Sequence, residues 1–169
     1  MIEIEQAKEI VKNELLIQES NLLNDSLIIV DDFTIERPYA WIFIYTSKNL
    51  LETNDSKYLI AGNAPIIVDK RSGKMKSYST AFSTDEIIDK YEEEGKLWSL
   101  TLLKNNTLDN SKLILLKNKM NLRNDDLILL KNGKKDIISK GSESRLKLLQ
   151  KEFKEIGIET EILLSFDNK

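Results

Sequence analysis

Apolar positions recur along the chain with two periods, and the switches between them mark out its elements. Ile4, Ala7, Val11 and Leu15 repeat at helical spacing, with Glu3, Glu5, Lys8, Glu9 and Lys12 around the other face. This predicts an amphipathic helix from Ile4 to about Ile17. Leu27-Ile-Ile-Val30 and Phe33-Thr-Ile35 are rich in β-branched residues and predict one strand, bulged or bent at Asp31-Asp32. Arg37-Pro38 turns the chain into a strand from Ala40 to Ser47, which offers Trp41 and Phe43 to a core shared with Ile66. A polar loop follows and ends in Gly62-Asn63-Ala64-Pro65. Gly reaches positive φ without strain, Asn bonds nearby backbone and Pro extends the residue before it, so a strand starts cleanly at Ile66. Asp69-Lys-Arg-Ser-Gly73 is a hairpin signal leading into Lys74 to Tyr78. Ser83-Thr-Asp-Glu86 is a capping box, Ile87, Ile88 and Tyr91 supply a buried face, and Gly95 is the expected stop.

A second pattern begins at Trp98-Ser-Leu-Thr-Leu102, which alternates as a strand does. Leu113, Leu116 and Met120 line a helix. Asp125-Asp126 open a shorter one through Leu127 and Leu130 that ends at Gly133. Asp136 to Ser139 predicts a short strand. Ser142 or Ser144 then caps a helix carrying Leu146, Leu149, Phe153 and Ile156, which Gly157 stops. In the last strand, Ile158 to Leu164, Glu159 and Glu161 share one face and Ile158, Thr160 and Ile162 the other. The expected fold is α+β in two modules. Residues 1–95 form a mostly antiparallel sheet flanked by helices, and residues 96–169 form a small βααβαβ sandwich.

Composition narrows the chemistry. The 169 residues are 41% hydrophobic, enough for a real core, and contain neither Cys nor His. Cysteine nucleophiles, disulfides, histidine bases and the common zinc sites are therefore excluded. Met1 is followed at once by an acidic amphipathic segment, and no apolar run approaches membrane-spanning length. The expectation is a cytoplasmic protein with no membrane partner. The net charge of −3 hides a division. Met1 to Gly95 carry 10 Lys/Arg against 18 Asp/Glu, a net of −8, and Lys96 to Lys169 carry 15 against 10, a net of +5.

Without His or Cys, nucleophilic catalysis would need a Ser-Lys arrangement, and no serine or lysine sits in a recognisable motif. Asp31 with Asp32, Glu52 with Asp55, and Glu92 to Glu94 are paired acids in sequence only, and solvated helix ends and strand edges account for them. No phosphate-cradling glycine loop is present. The reading is a non-enzyme with no catalytic residues, no metal and no cofactor. Lys131, Lys134, Lys135 and Lys140 make a basic patch, but it lacks interleaved aromatics, which argues against nucleic acid as a partner.

Trp41-Ile-Phe-Ile-Tyr45-Thr-Ser47, Leu51-Glu52-Thr53, Leu59, Ala61-Gly62-Asn63-Ala64-Pro65-Ile66-Ile67-Val68-Asp69-Lys70, Gly73, Thr80-Ala81 and Tyr91-Glu92, taken in order, resemble the YrhB-like family. That family includes many immunity proteins of bacterial polymorphic toxin systems. The resemblance covers about the first 95 residues, and Asn54 and Ser79 stand where glycine is expected. Its motif residues Trp41, Tyr45, Glu52, Gly62, Asn63, Pro65 and Asp69 are read as structural. The resemblance implies an immunity protein that neutralises a cognate toxin by stoichiometric occlusion. An inhibitor of a basic nuclease gains from a dense negative surface, and Asp85, Glu86, Asp89, Glu92, Glu93 and Glu94 would form one if their helix is exposed. The alternative is a chaperone or adaptor that holds client proteins. The second module's element order, with Ile137-Ile-Ser-Lys-Gly141 and Gly157-Ile158-Glu159-Thr-Glu-Ile162, resembles the C-terminal domain of the bacterial ribosomal stalk protein. Met120-Asn-Leu-Arg-Asn124 lacks that family's glycines, so factor binding is not carried over. Nothing in the sequence signals an oligomeric state.

Overall fold

The computed structural model describes residues 1–19, 25–104 and 108–165. Among the described residues are six α-helices and nine short strands, the strands paired in antiparallel sheets, an α+β fold. The chain divides into two compact units, Met1–Ile87 and Ile88–Lys169. The division falls inside a helix, eight residues before the Gly95 boundary expected from charge.

The first unit is built on helix α1 (Ile4–Glu19), which buries Ala7, Val11 and Leu15. Strands β1 (Leu27–Ile29) and β2 (Ile35–Glu36) are separated by a single 3₁₀ turn at Asp31–Phe33, where the two adjacent acids predicted a bend. They pair with β4 (Tyr45–Ser47) and β3 (Ala40–Phe43) respectively, so the strand expected from Ala40 to Ser47 is interrupted at Ile44. β3 also pairs with β5 (Ile66–Asp69), and β5 with β6 (Met75–Ser77), giving the order β2-β3-β5-β6.

Directly paired residues share a face, so Trp41 with Val68 and Phe43 with Ile66 form the floor on which α1 lies. Ile42 and Ile67 point the other way and are buried as well. Phe43 is fully buried, worth about 1.5–3 kcal/mol relative to leaving it in water.

The loop expected between Tyr45 and Ile66 contains a six-residue helix, α2 (Lys48–Thr53), too short to show a period. Ser47 caps it, its hydroxyl accepting from the Leu50 amide at 3.0 Å. Asn54 closes it in the left-handed conformation at φ 53. Asn tolerates that region through local hydrogen bonding, so Asn54 makes the turn for which glycine was expected.

Helix α3 (Thr84–Gly95) starts as its capping box predicts: the Ser83 amide donates to Glu86 Oε2 at 2.8 Å and the Glu86 amide to Ser83 Oγ at 3.3 Å. It ends at the expected Gly95, although that glycine does not supply a left-handed cap. Gly95 is the last helical residue, and Lys96 takes the left-handed conformation at φ 47. A Cβ on Gly95 would come 2.8 Å from the Leu97 side chain, so close packing, not positive φ, favours glycine there.

In the second unit, β7 (Trp98–Leu102) is central in a three-stranded sheet, between β8 (Ile137–Gly141) and β9 (Thr160–Leu164). Helices α4 (Asn110–Met120), α5 (Asn124–Lys131) and α6 (Glu143–Glu155) complete the expected βααβαβ order. Leu116, Leu130, Leu146 and Phe153 from the helices meet Leu100, Leu102 and Ile138 from the sheet. In β9, Thr160 is buried and Ile162 half-buried, whereas Glu161 is exposed, the alternation read from the sequence. Ser142 is the N-cap of α6, and Gly157 follows its end at φ 70.

Candidate functional site

The family motif builds the frame of the first unit. Trp41 is buried in β3; its indole donates to the Ile2 carbonyl at 3.3 Å, and the Lys70 ammonium lies 3.9 Å from its ring centre. Lys70, which closes the motif stretch, is itself buried and reaches Glu36 at 2.7 Å, so its charge is held by a cation–π contact and an ion pair. Gly62 sits at φ 93, Asn63 Nδ2 donates to the Tyr45 carbonyl at 2.8 Å, and Pro65 is buried at the start of β5. Asp69 Oδ1 accepts from the Arg71 and Ser72 amides at 3.0 and 2.7 Å and fixes the hairpin turn. Glu52 alone of the seven points to solvent, 3.7 Å from Lys48.

A further carboxylate ties this loop down. Asp25 Oδ1 accepts from the Ser26 and Asn49 amides at 2.8 and 3.2 Å, and its Oδ2 accepts from the Ser47 hydroxyl. The Ser47 bond first, then those amides, hold the Asp25 carboxyl below its ordinary range.

The six acids of α3 do not form one exposed face, which corrects the expectation from sequence. Asp85, Glu86, Glu93 and Glu94 are exposed, Glu86 within the capping box, and Asp89 is half-buried. Glu92 is only 1% exposed, and its Oε2 accepts from the Glu143 amide at 2.7 Å. Glu93 Oε2 accepts from the Ser142 amide at 2.8 Å and from Arg145 Nε at 3.0 Å, while Ser144 Oγ donates to Asp89 at 2.7 Å. These three acids complete the N-terminus of α6. The reason is electrostatic: the first amides of a helix lack partners within it, and carboxylates satisfy both those donors and the positive end of the dipole. Gly141 leaves the necessary room, since a Cβ there would overlap both Arg145 and Glu93.

Counted by compact unit, Met1–Ile87 carries 9 Lys/Arg against 14 Asp/Glu, a net of −5, and Ile88–Lys169 carries 16 against 14, a net of +2. The α3 acids thus offset the basic second unit. Within that unit Lys135 is paired with Asp126 at 2.9 Å, which removes it from a free basic patch, whereas Lys131 and Lys134 remain exposed.

Two grooves flank α1. One, of about 510 Å³, runs between α1 and β1 and is lined by Leu16, Leu27, Ile28 and Ile29, with Lys8 and Asp31 at its rim. The other, of about 420 Å³, lies between α1 and β6, with Glu14, Gln18, Tyr45, Ser77 and Thr80 in its wall and the motif residues Gly62 and Ala64 beside them. Burial, and then the charge of Glu14, pushes the Tyr45 phenol up, so it remains protonated at neutral pH. Sequence periodicity singled out neither Glu14 nor Gln18, because both sit on the flank of α1 beside its apolar stripe. Among the described residues no cluster of Asp and Glu is arranged to hold a metal ion, and no helix is long and apolar enough to cross a membrane.

Comparison with known proteins places this frame. The chain is 42% identical over 53 residues to Uncharacterized protein YrhB of Escherichia coli (strain K12), a match covering 31% of this chain and 56% of that protein. It thus spans about half the length of the curated relative it matches. No solved structure matches. The family model described as Immunity protein 35 matches residues 5–94, more than half of the chain and every motif residue described above. The chain belongs to the Immunity protein 35 family.

Proposed function

We propose that this protein is a cytoplasmic immunity protein that binds a cognate bacterial toxin, of the polymorphic toxin type, and neutralises it by stoichiometric occlusion. The observation that carries the reading is the family match across residues 5–94, which spans α1, the motif loop and the sheet. The net charge of −5 on the first unit supports a basic partner. With Asp89, Glu92 and Glu93 bonded to the start of α6 and Glu86 in the α3 capping box, Asp85 is the exposed α3 acid that a basic partner would meet.

A chaperone or adaptor role is the second reading. It is favoured by the exposed Ile114, Leu115, Ile128 and Leu129 on α4 and α5, which would hold apolar client segments. Co-expression with the toxin domain encoded beside the gene separates the two. Restored growth with a one-to-one complex supports immunity. Absence of rescue, with suppressed aggregation of unrelated clients, overturns it in favour of the second reading.

A further inference from the structure

Strand β6 is an edge of the four-stranded sheet, and all three of its residues are exposed. The Asp69 amide donates to the Lys74 carbonyl at 3.0 Å, and Ile67 pairs with Lys76. In an antiparallel ladder this directs the backbone groups of Lys74 and Lys76 toward β5 and those of Met75 and Ser77 outward. Among the described residues those outward amides and carbonyls have no partner. Strand edges of this kind accept an extended segment from another chain.

The 420 Å³ groove lies on the α1 side of that edge. Ser77 pairs with Ile66 and shares its face, so a strand added to β6 would set the residue opposite Ser77 over the groove. The wall there is rich in acceptors: the Glu14 carboxylate, the Gln18 amide oxygen and the hydroxyls of Tyr45, Ser77 and Thr80. Glu14 is half-buried. Its carboxylate accepts from Gln18 Nε2 at 3.2 Å and meets no cation among the described residues. Lys76 borders the same groove, but its ammonium lies 5.1 Å from the centre of the Tyr78 ring. A carboxylate partly withdrawn from water and bonded only to a neutral amide gains strongly from an incoming cation.

We propose that this groove takes a lysine or arginine side chain carried on an extended segment of the toxin, which pairs with the free edge of β6 and sets its cation against Glu14. The inference rests on the immunity reading and locates the specificity contact of that function in the first unit, away from the α3 acids.

The test measures affinity and inhibition for the full chain and its Glu14→Gln and Glu14→Lys variants against the toxin that the unaltered protein neutralises. Glu14→Gln keeps shape and its bond to Gln18, so the fold should survive, as checked by thermal unfolding. The expected result is about a tenfold or greater loss of affinity for Glu14→Gln, with a weaker salt dependence. A larger loss is expected for Glu14→Lys, restored when the contacting basic residue of the toxin is changed to glutamate. Affinities of folded variants within about twofold of the unaltered protein would overturn the groove assignment and leave immunity standing. If the unaltered protein neutralises no toxin, the immunity reading and the groove assignment both fall.

Discussion

Asp25 and Glu92 show what a single carboxylate does here. Asp25 binds the start of α2 to the end of β4 through Ser47 and the Asn49 amide, which holds the motif loop against the sheet. Its folded pKa lies below the ordinary 3.8, so its contribution to stability is complete above that value and is lost as pH falls through the lower folded value. Asp55, Asp109 and Asp126 are depressed as well and act in the same direction. Unfolding by denaturant should therefore show stability falling between about pH 5 and about pH 2, with a smaller fall in Asp25→Asn. An unchanged acid dependence in that variant would remove Asp25 from the account. Residue identity alone did not reveal this role, because Asp25 lies 22 residues from Ser47 and 24 from Asn49.

At the scale of elements, local chemistry made much of the fold legible. The hairpin at Asp69–Gly73 and the capping box at Ser83 and Glu86 both close over three or four residues, so spacing reveals them. The burial of α1 and α6 followed from their apolar period. What stayed hidden depends on distant partners. Glu93 meets Ser142 across 49 residues, Glu92 meets Glu143 across 51 and Asp89 meets Ser144 across 55. An acidic helix read alone looks solvated, and only the start of α6, whose Ser142 and Glu143 amides and Ser144 hydroxyl need acceptors, explains why Asp89, Glu92 and Glu93 are engaged. Glu92→Ala leaves the Glu143 amide without its acceptor and should cost about 1–3 kcal/mol, read as a lower denaturation midpoint. An unaltered midpoint would show that the contact contributes no net stability. Charge reversal at Glu92 or Glu93 is consequently a poor probe of partner binding, and the exposed Asp85 is the cleaner site.

At the scale of the molecule, the family match and the compact units do not end together. The match extends to Glu94, and the first unit closes at Ile87, so the last matched turns of α3 supply the second unit with carboxylates. The sequence-level charge division of −8 and +5 becomes −5 and +2 by compact unit. The likeness of residues 96–169 to the ribosomal stalk domain remains a proposal about architecture: the βααβαβ order is present, and no solved structure matches. The proposed toxin contact lies in the first unit, with the motif loop, the sheet edge and the α1 grooves.

The measurement that tests the immunity reading most directly is a titration of the purified cognate toxin with this protein, following toxin activity. Stoichiometric occlusion predicts a linear loss of activity that reaches zero at one equivalent and returns when the complex is dissociated. Inactivation by a small fraction of an equivalent, persisting after the protein is removed, would contradict occlusion and point to chemistry on the toxin. Undiminished activity at excess protein would contradict immunity itself.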